Sequence, residues 1–203
     1  MKVNVYICSV ITRKLILKTT LKHIASIQTG VFAKPTPEGE VIYLQAKHFD
    51  ESGQINTELH PDLKADAFAV KHLLRKGDVL FAAKGTKNFA AVYDIEKQAV
   101  ASTSFFVVKL NDKFRCRILP EFLAWQMNHP VAQTYLKGQA MGSSIVSISK
   151  GVLEELEISI PPIQKQQLIL NISRLRNKEI ELRQQIEMLR DKQIQQQILN
   201  AIK

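Results

Sequence analysis

Asp62-Leu63-Lys64 is the chain's only Asp-x-Lys spacing. Metal-dependent cleavage of phosphodiesters needs a metal-binding acid followed later by an acid-x-Lys pair. No second pair follows Asp62, so no ligand set for such a metal emerges. His23, His48, His60, His72 and His129 are never closely paired and read as surface or internally bonded histidines. Ser143 and Ser144, in Gly142-Ser-Ser-Ile145, offer hydroxyls but lack the Gly-x-Ser-x-Gly elbow of a nucleophile. The chain has no Gly-x-Gly and no Gly-Lys-Ser/Thr, which removes the usual dinucleotide, methyl-donor and phosphate-loop turns. The diproline Ile160-Pro161-Pro162-Ile163 lacks the preceding Asn or Asp and the following aromatic with which amino-methyltransferases hold a base. A non-catalytic chain with no metal and no cofactor is the expectation.

The remaining polar groups suit binding. Lys84-Gly85-Thr86-Lys87-Asn88 joins two apparent strands and supplies two cations, an amide and a flexible backbone. Those groups suit phosphate contact and hydrogen bonding to base edges; an ordinary polar hairpin loop reads equally well. Gly138-Gln-Ala-Met-Gly142-Ser143-Ser144 is a second glycine-punctuated segment that could aim N–H groups and hydroxyls at phosphate oxygens. Lys150 follows at a helix start, and Lys47-His48 is a third candidate. Spacing does not distinguish base readers from backbone clamps.

The 203 residues are 45% hydrophobic and 23% charged, an ordinary globular composition. The net charge of +9 draws phosphate polymers or anionic surfaces, although solvated lysines account for many basic proteins. Cys8 and Cys116 are far apart and give neither a metal spacing nor a disulfide framework. A reducing cytoplasm is the simplest setting, with Cys116 assignable to the core. The stretch Val3 to Ile11 is too short and too interrupted for a leader, and Val3, Val5 and Ile7 alternate like an edge strand. No run approaches the ~20 apolar residues of a membrane span. A soluble protein is expected.

Elements must position these groups. Val41 to Leu44, Asp78 to Ala83 and Thr103 to Leu110 read as strands among turn residues. Glu121 to Asn128 and Val131 to Lys137 read as short helices opened by Pro120 and Pro130, the second ended by Gly138. Phe122, Leu123, Trp125 and Met127 are expected in the core. Ser149 can cap a brief helix through Glu155, and Ile158 with Ile160 makes a last strand. The fold class is α+β: a curled mixed β-sheet domain with short helices over residues 1–160, then one long coiled-coil-forming helix over 161–203.

That helix runs from Gln164 without Gly or Pro. Leu168, Ile172, Leu175, Glu179, Leu182, Ile186 and Leu189 follow the seam spacing of a heptad, apolar except at Glu179. Ile194 and Ile198 continue the stripe one position out of phase. A rod of roughly 58 Å exceeds what so small a domain would cover, which favours pairing between chains over a helix laid along its own domain.

In this order the pieces resemble the specificity subunit of Type I restriction-modification systems. The similar stretches are Ile24-Ala-Ser-Ile-Gln-Thr-Gly30, Leu74-Arg-Lys-Gly-Asp-Val-Leu-Phe81, Leu119-Pro-Glu-Phe-Leu123, Gly142-Ser-Ser-Ile-Val-Ser-Ile148 with Leu153, and Ile158-Ser-Ile-Pro-Pro-Ile-Gln-Lys-Gln166. Their order over ~180 residues carries the likeness; no single one is specific. Gln164 and Lys165 stand where acids commonly follow the family's diproline.

The resemblance implies a protein that recognises double-stranded DNA without doing chemistry and directs a DNA methyltransferase (modification) subunit. Whether a restriction subunit joins stays open. The usual family chain carries two target-recognition domains and two antiparallel helices; here one of each is seen. Two copies joined through Leu168, Ile172, Leu175, Leu182, Ile186, Leu189, Ile194 and Ile198 would form a homodimer reading an inverted bipartite site. A rod of roughly 58 Å spans more than one DNA turn of ~34 Å. The alternatives are a truncated or silent cassette that binds partners without reading DNA, and a small enzyme.

Overall fold

The computed structural model describes residues 16–50, 53–64, 68–85, 88–140 and 147–202. The Val3 to Ile7 alternation lies outside them, as do Thr86, Lys87, Gly142, Ser143 and Ser144. In chain order the first part holds β1 (Leu17–Thr20), α1 (Leu21–Ile24), β2 (Ala25–Thr29), β3 (Ile42–Leu44), β4 (Val79–Ala82), β5 (Ala90–Val92), β6 (Ala99–Ala101) and β7 (Phe105–Leu110). After them come α2 (Asp112–Arg115), α3 (Pro120–Asn128), α4 (Pro130–Gly138), α5 (Lys150–Glu154), β8 (Glu157–Ile160) and α6 (Ile163–Ala201).

β2, β7, β4 and β5 form an antiparallel sheet in that order, with Val79 opposite Val108 and Phe81 opposite Phe106. All of β4 is buried, because this sheet is covered on both faces. Val79, Phe81, Phe106 and Val108 belong to a core completed by Leu123 and Met127 of α3, Leu136 of α4 and Ile158 of β8. The alternate residues Leu80, Ala82, Phe105 and Val107 face a second core with Ile42, Leu44, Ala99 and Ala101. Those last four come from β3 and β6, which pair in parallel and make the strand set mixed. β1 pairs antiparallel with β8.

Two side-chain amides lock α3 between sheet edges. Asn128 accepts from Ala90 N–H at 2.7 Å and donates to Ala90 O at 2.8 Å. Gln126 accepts from Ser159 N–H at 3.0 Å and donates to Ser159 O at 2.8 Å. Each amide stands in for a neighbouring strand and satisfies backbone groups that an edge would leave unpaired.

Several expectations need correction. Trp125 is only half-buried and stacks on buried Phe122 at 5.6 Å between ring centroids. Cys116 is exposed, at the C-cap of α2, where a core side chain would have no layer to enter. α4 runs through Gly138 and is capped by Gln139. Thr103 and Ser104 form a turn, so β7 starts at Phe105. α1, α2, β1 and β6 were absent from the sequence reading; each has only three or four residues, too few to show a period.

The chain divides into two compact units, Met1–Ile163 and Gln164–Lys203. The second is a 39-residue helix almost throughout, counting its start at Ile163. It follows Pro161 and Pro162 and contains neither Gly nor Pro, so nothing in its sequence breaks it. Its seam side chains are exposed: Leu168, Ile172, Leu175, Leu182, Ile186, Leu189, Ile194 and Ile198 all belong to this set, Leu175 at 71%.

Candidate nucleic-acid interface

Lys84 to Asn88 connects β4 to β5 as expected. Its base is tightly made: Ala82 N–H donates to Phe89 O at 2.8 Å, and the Asn88 amide donates to Ala82 O at 2.9 Å. Asn88 is therefore buried and engaged in closing the loop, not presented at its tip. Gly85 takes φ +129°, a conformation costly for any side chain. Lys84 is exposed and, among the described residues, forms no ion pair.

Lys84 also forms an isolated antiparallel bridge with Ser147, continued by Ile148 N–H donating to Ala83 O at 2.9 Å. This ties the first candidate loop to the described chain three residues beyond the second glycine-punctuated segment, about sixty residues away in sequence. Two residues further, Ser149 Oγ accepts from Val152 N–H at 3.3 Å and caps α5. Lys150 is then the first residue of α5, exposed, with Glu154 3.6 Å away. So long and exposed a pair holds its lysine weakly and leaves it available to phosphate.

Lys47 and His48 lie in a 3-10 turn, Ala46–His48, just after β3. Lys47 is exposed. His48 Nδ1 accepts from Gln45 N–H at 3.3 Å, so that nitrogen holds the turn together. Burial, with Lys47 next to it, lowers the His48 pKa, while Asp62 opposes the shift. The imidazole is thus neutral at pH 7 and contributes a polar edge, leaving Lys47 as the cation.

Aromatic packing joins this turn to the first loop. Phe49, directly after His48, lies 5.5 Å from Phe89, directly after Asn88, and both pack on Phe105 of β7 at 5.5 and 6.1 Å. Gly53 takes φ +80° beside this cluster, and a Cβ there would come 3.0 Å from the Phe89 ring. Lys47, Lys84 and Lys150 are hence carried by three segments anchored to one framework. The sequence gives Phe49 and Phe89 no role, and it shows Phe105 only as part of a strand and Ser147 only within a family-like stretch, not as supports of these segments. The available signal was the two phenylalanines placed next to polar candidates, at Lys47-His48-Phe49 and Lys87-Asn88-Phe89.

Among the described residues, no three His, Cys, Asp or Glu side chains come together in a way that could hold a metal ion, and no helix is long and apolar enough to cross a membrane. What the described parts of these segments offer is three exposed cations, Lys47, Lys84 and Lys150, on a base held by buried aromatic rings and backbone hydrogen bonds.

Solved structures with this fold include the S subunit of a Type I restriction-modification system from M. genitalium, with a TM-score of 0.55 and 19% identity. The HsdS subunit from Thermoanaerobacter tengcongensis gives 0.58 and 16%. A third, from work titled as complex assembly and conformational transition of the type I R-M system, gives 0.57 and 15%. Each alignment covers 82% of this chain but only 40%, 38% and 39% of the respective structures, so the chain spans about two fifths of their length. Residues 19–189 match the family described as Type I restriction modification DNA specificity domain. The chain belongs to that family, carrying one target-recognition domain and one long helix.

Proposed function

We propose that the protein recognises a specific sequence in double-stranded DNA and does no chemistry itself. The observation that supports this reading is the Lys84–Ser147 bridge, which pairs the first residue of one candidate loop with a residue three positions beyond the other. Exposed Lys47, Lys84 and Lys150 supply salt-sensitive affinity through phosphates. Selectivity comes from the loops around residues 84–88 and 138–144, where Thr86, Lys87, Gly142, Ser143 and Ser144 complete the contact set. Asn88 serves by shaping its loop.

In this proposal α6 pairs with the same helix of a second copy, because its apolar seam is exposed along its length and such a stripe is buried only by a partner. The homodimer separates two identical reading domains and specifies an inverted bipartite site with an unread spacer. A DNA methyltransferase subunit is the partner that acts on the site. The protein works in the cytoplasm, where its DNA is.

Sequence selection with the purified protein, with and without a cognate methyltransferase subunit, tests the reading. Enrichment of inverted half-sites at fixed spacing supports it. Methyltransferase binding with no sequence preference would identify a silent cassette instead. Recruitment of a restriction subunit is a separate result of the same reconstitution.

A further inference from the structure

Phe32 is 87% exposed, and no large apolar side chain among the described residues is more so. A single exposed apolar residue is ordinary on a protein surface. The backbone that carries this one is held on both sides. Gly30 N–H donates to Phe105 O at 3.0 Å and Val31 N–H to Ala101 O at 2.8 Å. The chain approaches so closely that a Cβ on Gly30 would lie 2.1 Å from Ser102 O. The hydroxyl of buried Tyr43 donates to Val31 O at 2.9 Å and accepts from Ala33 N–H at 3.3 Å. One phenol thus clasps the residues on either side of Phe32. A backbone fixed in advance lowers the entropy lost when the ring meets a ligand.

The ring also stands at the loop end of the sheet. β2 and β4 both pair with β7, and Gly30 and Ala83 leave that pairing at the same end, bonded to Phe105 O and Ser104 O respectively. Two strand spacings put these exits roughly 10 Å apart, within the ~12 Å width of a DNA major groove. Phe32 lies two residues past the first exit and Lys84 one past the second. β3 ends at the same turn, where Ser102 N–H donates to Leu44 O at 2.8 Å, three residues before Lys47. The turn from Ser102 to Ser104 therefore gathers the segments that carry Phe32, Lys47 and Lys84. Lys34, two residues after the ring, is exposed as well. An apolar ring standing with cations is complemented by bases flanked by phosphates.

We infer that Phe32 is an apolar base contact of this interface, its ring set between base pairs or on a thymine methyl while the lysines hold phosphates. The inference rests on the DNA-recognition reading above and adds to it a group with neither charge nor hydrogen bond.

Sequence selection with the full chain supplies the duplex for the test. Phe32→Ala and Tyr43→Phe are compared with the unaltered chain on that duplex and on a random one, across a salt series. Phe32→Ala is expected to weaken the selected duplex about tenfold or more and the random duplex less than about twofold. The slope of log K against log salt should not change, because no charge is removed, and neither should the melting temperature, because the ring is exposed. Tyr43→Phe, which opens the clasp and leaves the ring, should give a smaller loss in the same direction; unaltered binding would overturn the role of the clasp. Uracil in place of thymine, and the bend measured by energy transfer between the duplex ends, separate the two contacts. A Phe32→Ala effect that vanishes with uracil marks a methyl contact, a bend lost with Phe32→Ala marks insertion, and either supports the inference. A loss showing neither would overturn it. So would equal binding by the unaltered chain and Phe32→Ala, equal losses on both duplexes, or a loss confined to binding a methyltransferase subunit, and in each case DNA reading would stand. An unaltered chain that selects no sequence would overturn both.

Discussion

Phe49 and Phe89 lie ring against ring, 5.5 Å apart and inclined by 44°, and through them two polar segments separated by about forty residues share one foundation. Both rings are buried, and both rest on Phe105 of the central sheet. The positions of Lys47 and Lys84 therefore depend on packing beneath them as well as on local loop sequence. Phe89→Ala is expected to cost about 3 kcal/mol of stability. Sequence selectivity should be lost before salt-dependent DNA affinity, which denaturant titration and binding to specific and random duplexes would separate.

Lys84→Gln and Lys150→Gln address the exposed cations. Each should weaken binding by a similar factor on every DNA sequence and reduce the slope of log K against log salt by about 0.9. Fluorescence anisotropy across a salt series measures both. A loss confined to one target sequence would mean that the residue reads a base edge.

Asn128 and Gln126 pair with backbone through both amide atoms. Asn128→Ala leaves the N–H and C=O of Ala90 without those partners and is expected to destabilise the domain by about 2 kcal/mol. Asn128→Asp keeps the acceptor for Ala90 N–H but sets a carboxylate against Ala90 O, and should cost at least as much. Thermal and urea unfolding would measure both.

His48 gives a pH signature. Burial and Lys47 lower its pKa in the folded chain from the usual 6.5, and Nδ1 must be unprotonated to accept from Gln45. Above the unfolded pKa both states are neutral and the contribution to stability is complete. As pH falls below 6.5 the unfolded chain takes up the proton first, so stability drops until the folded pKa is passed. His72, also lowered by burial, acts in the same window. Replacing His48 by Gln should flatten part of the decline in melting temperature below pH 6.5; an unchanged profile would assign the decline elsewhere.

Much of this fold was legible because burial writes itself into spacing. The run from Val79 to Ala83 has no polar face, as a strand covered on both sides requires. Pro120, Pro130 and Ser149 marked helix starts through backbone chemistry that acts locally. The heptad of α6 needed no tertiary information at all. By contrast, the Lys84–Ser147 bridge and the Phe49–Phe89 contact join residues whose sequence separation leaves no periodic trace. Asn88 shows the limit most plainly: a loop amide next to two lysines reads as a ligand group, and only the fold reveals that Ala82 O already holds it.

The central claim is that two copies of one reading domain are held a fixed distance apart by their long helices. Hydroxyl-radical footprinting on a selected site, with the mass of the complex measured in parallel, tests it most directly. The prediction is a dimer protecting two inverted half-sites around an open spacer, reduced to a monomer on one half-site by Leu175→Lys with Leu182→Lys. A monomer protecting a single uninterrupted, asymmetric stretch, unchanged by those substitutions, would contradict it.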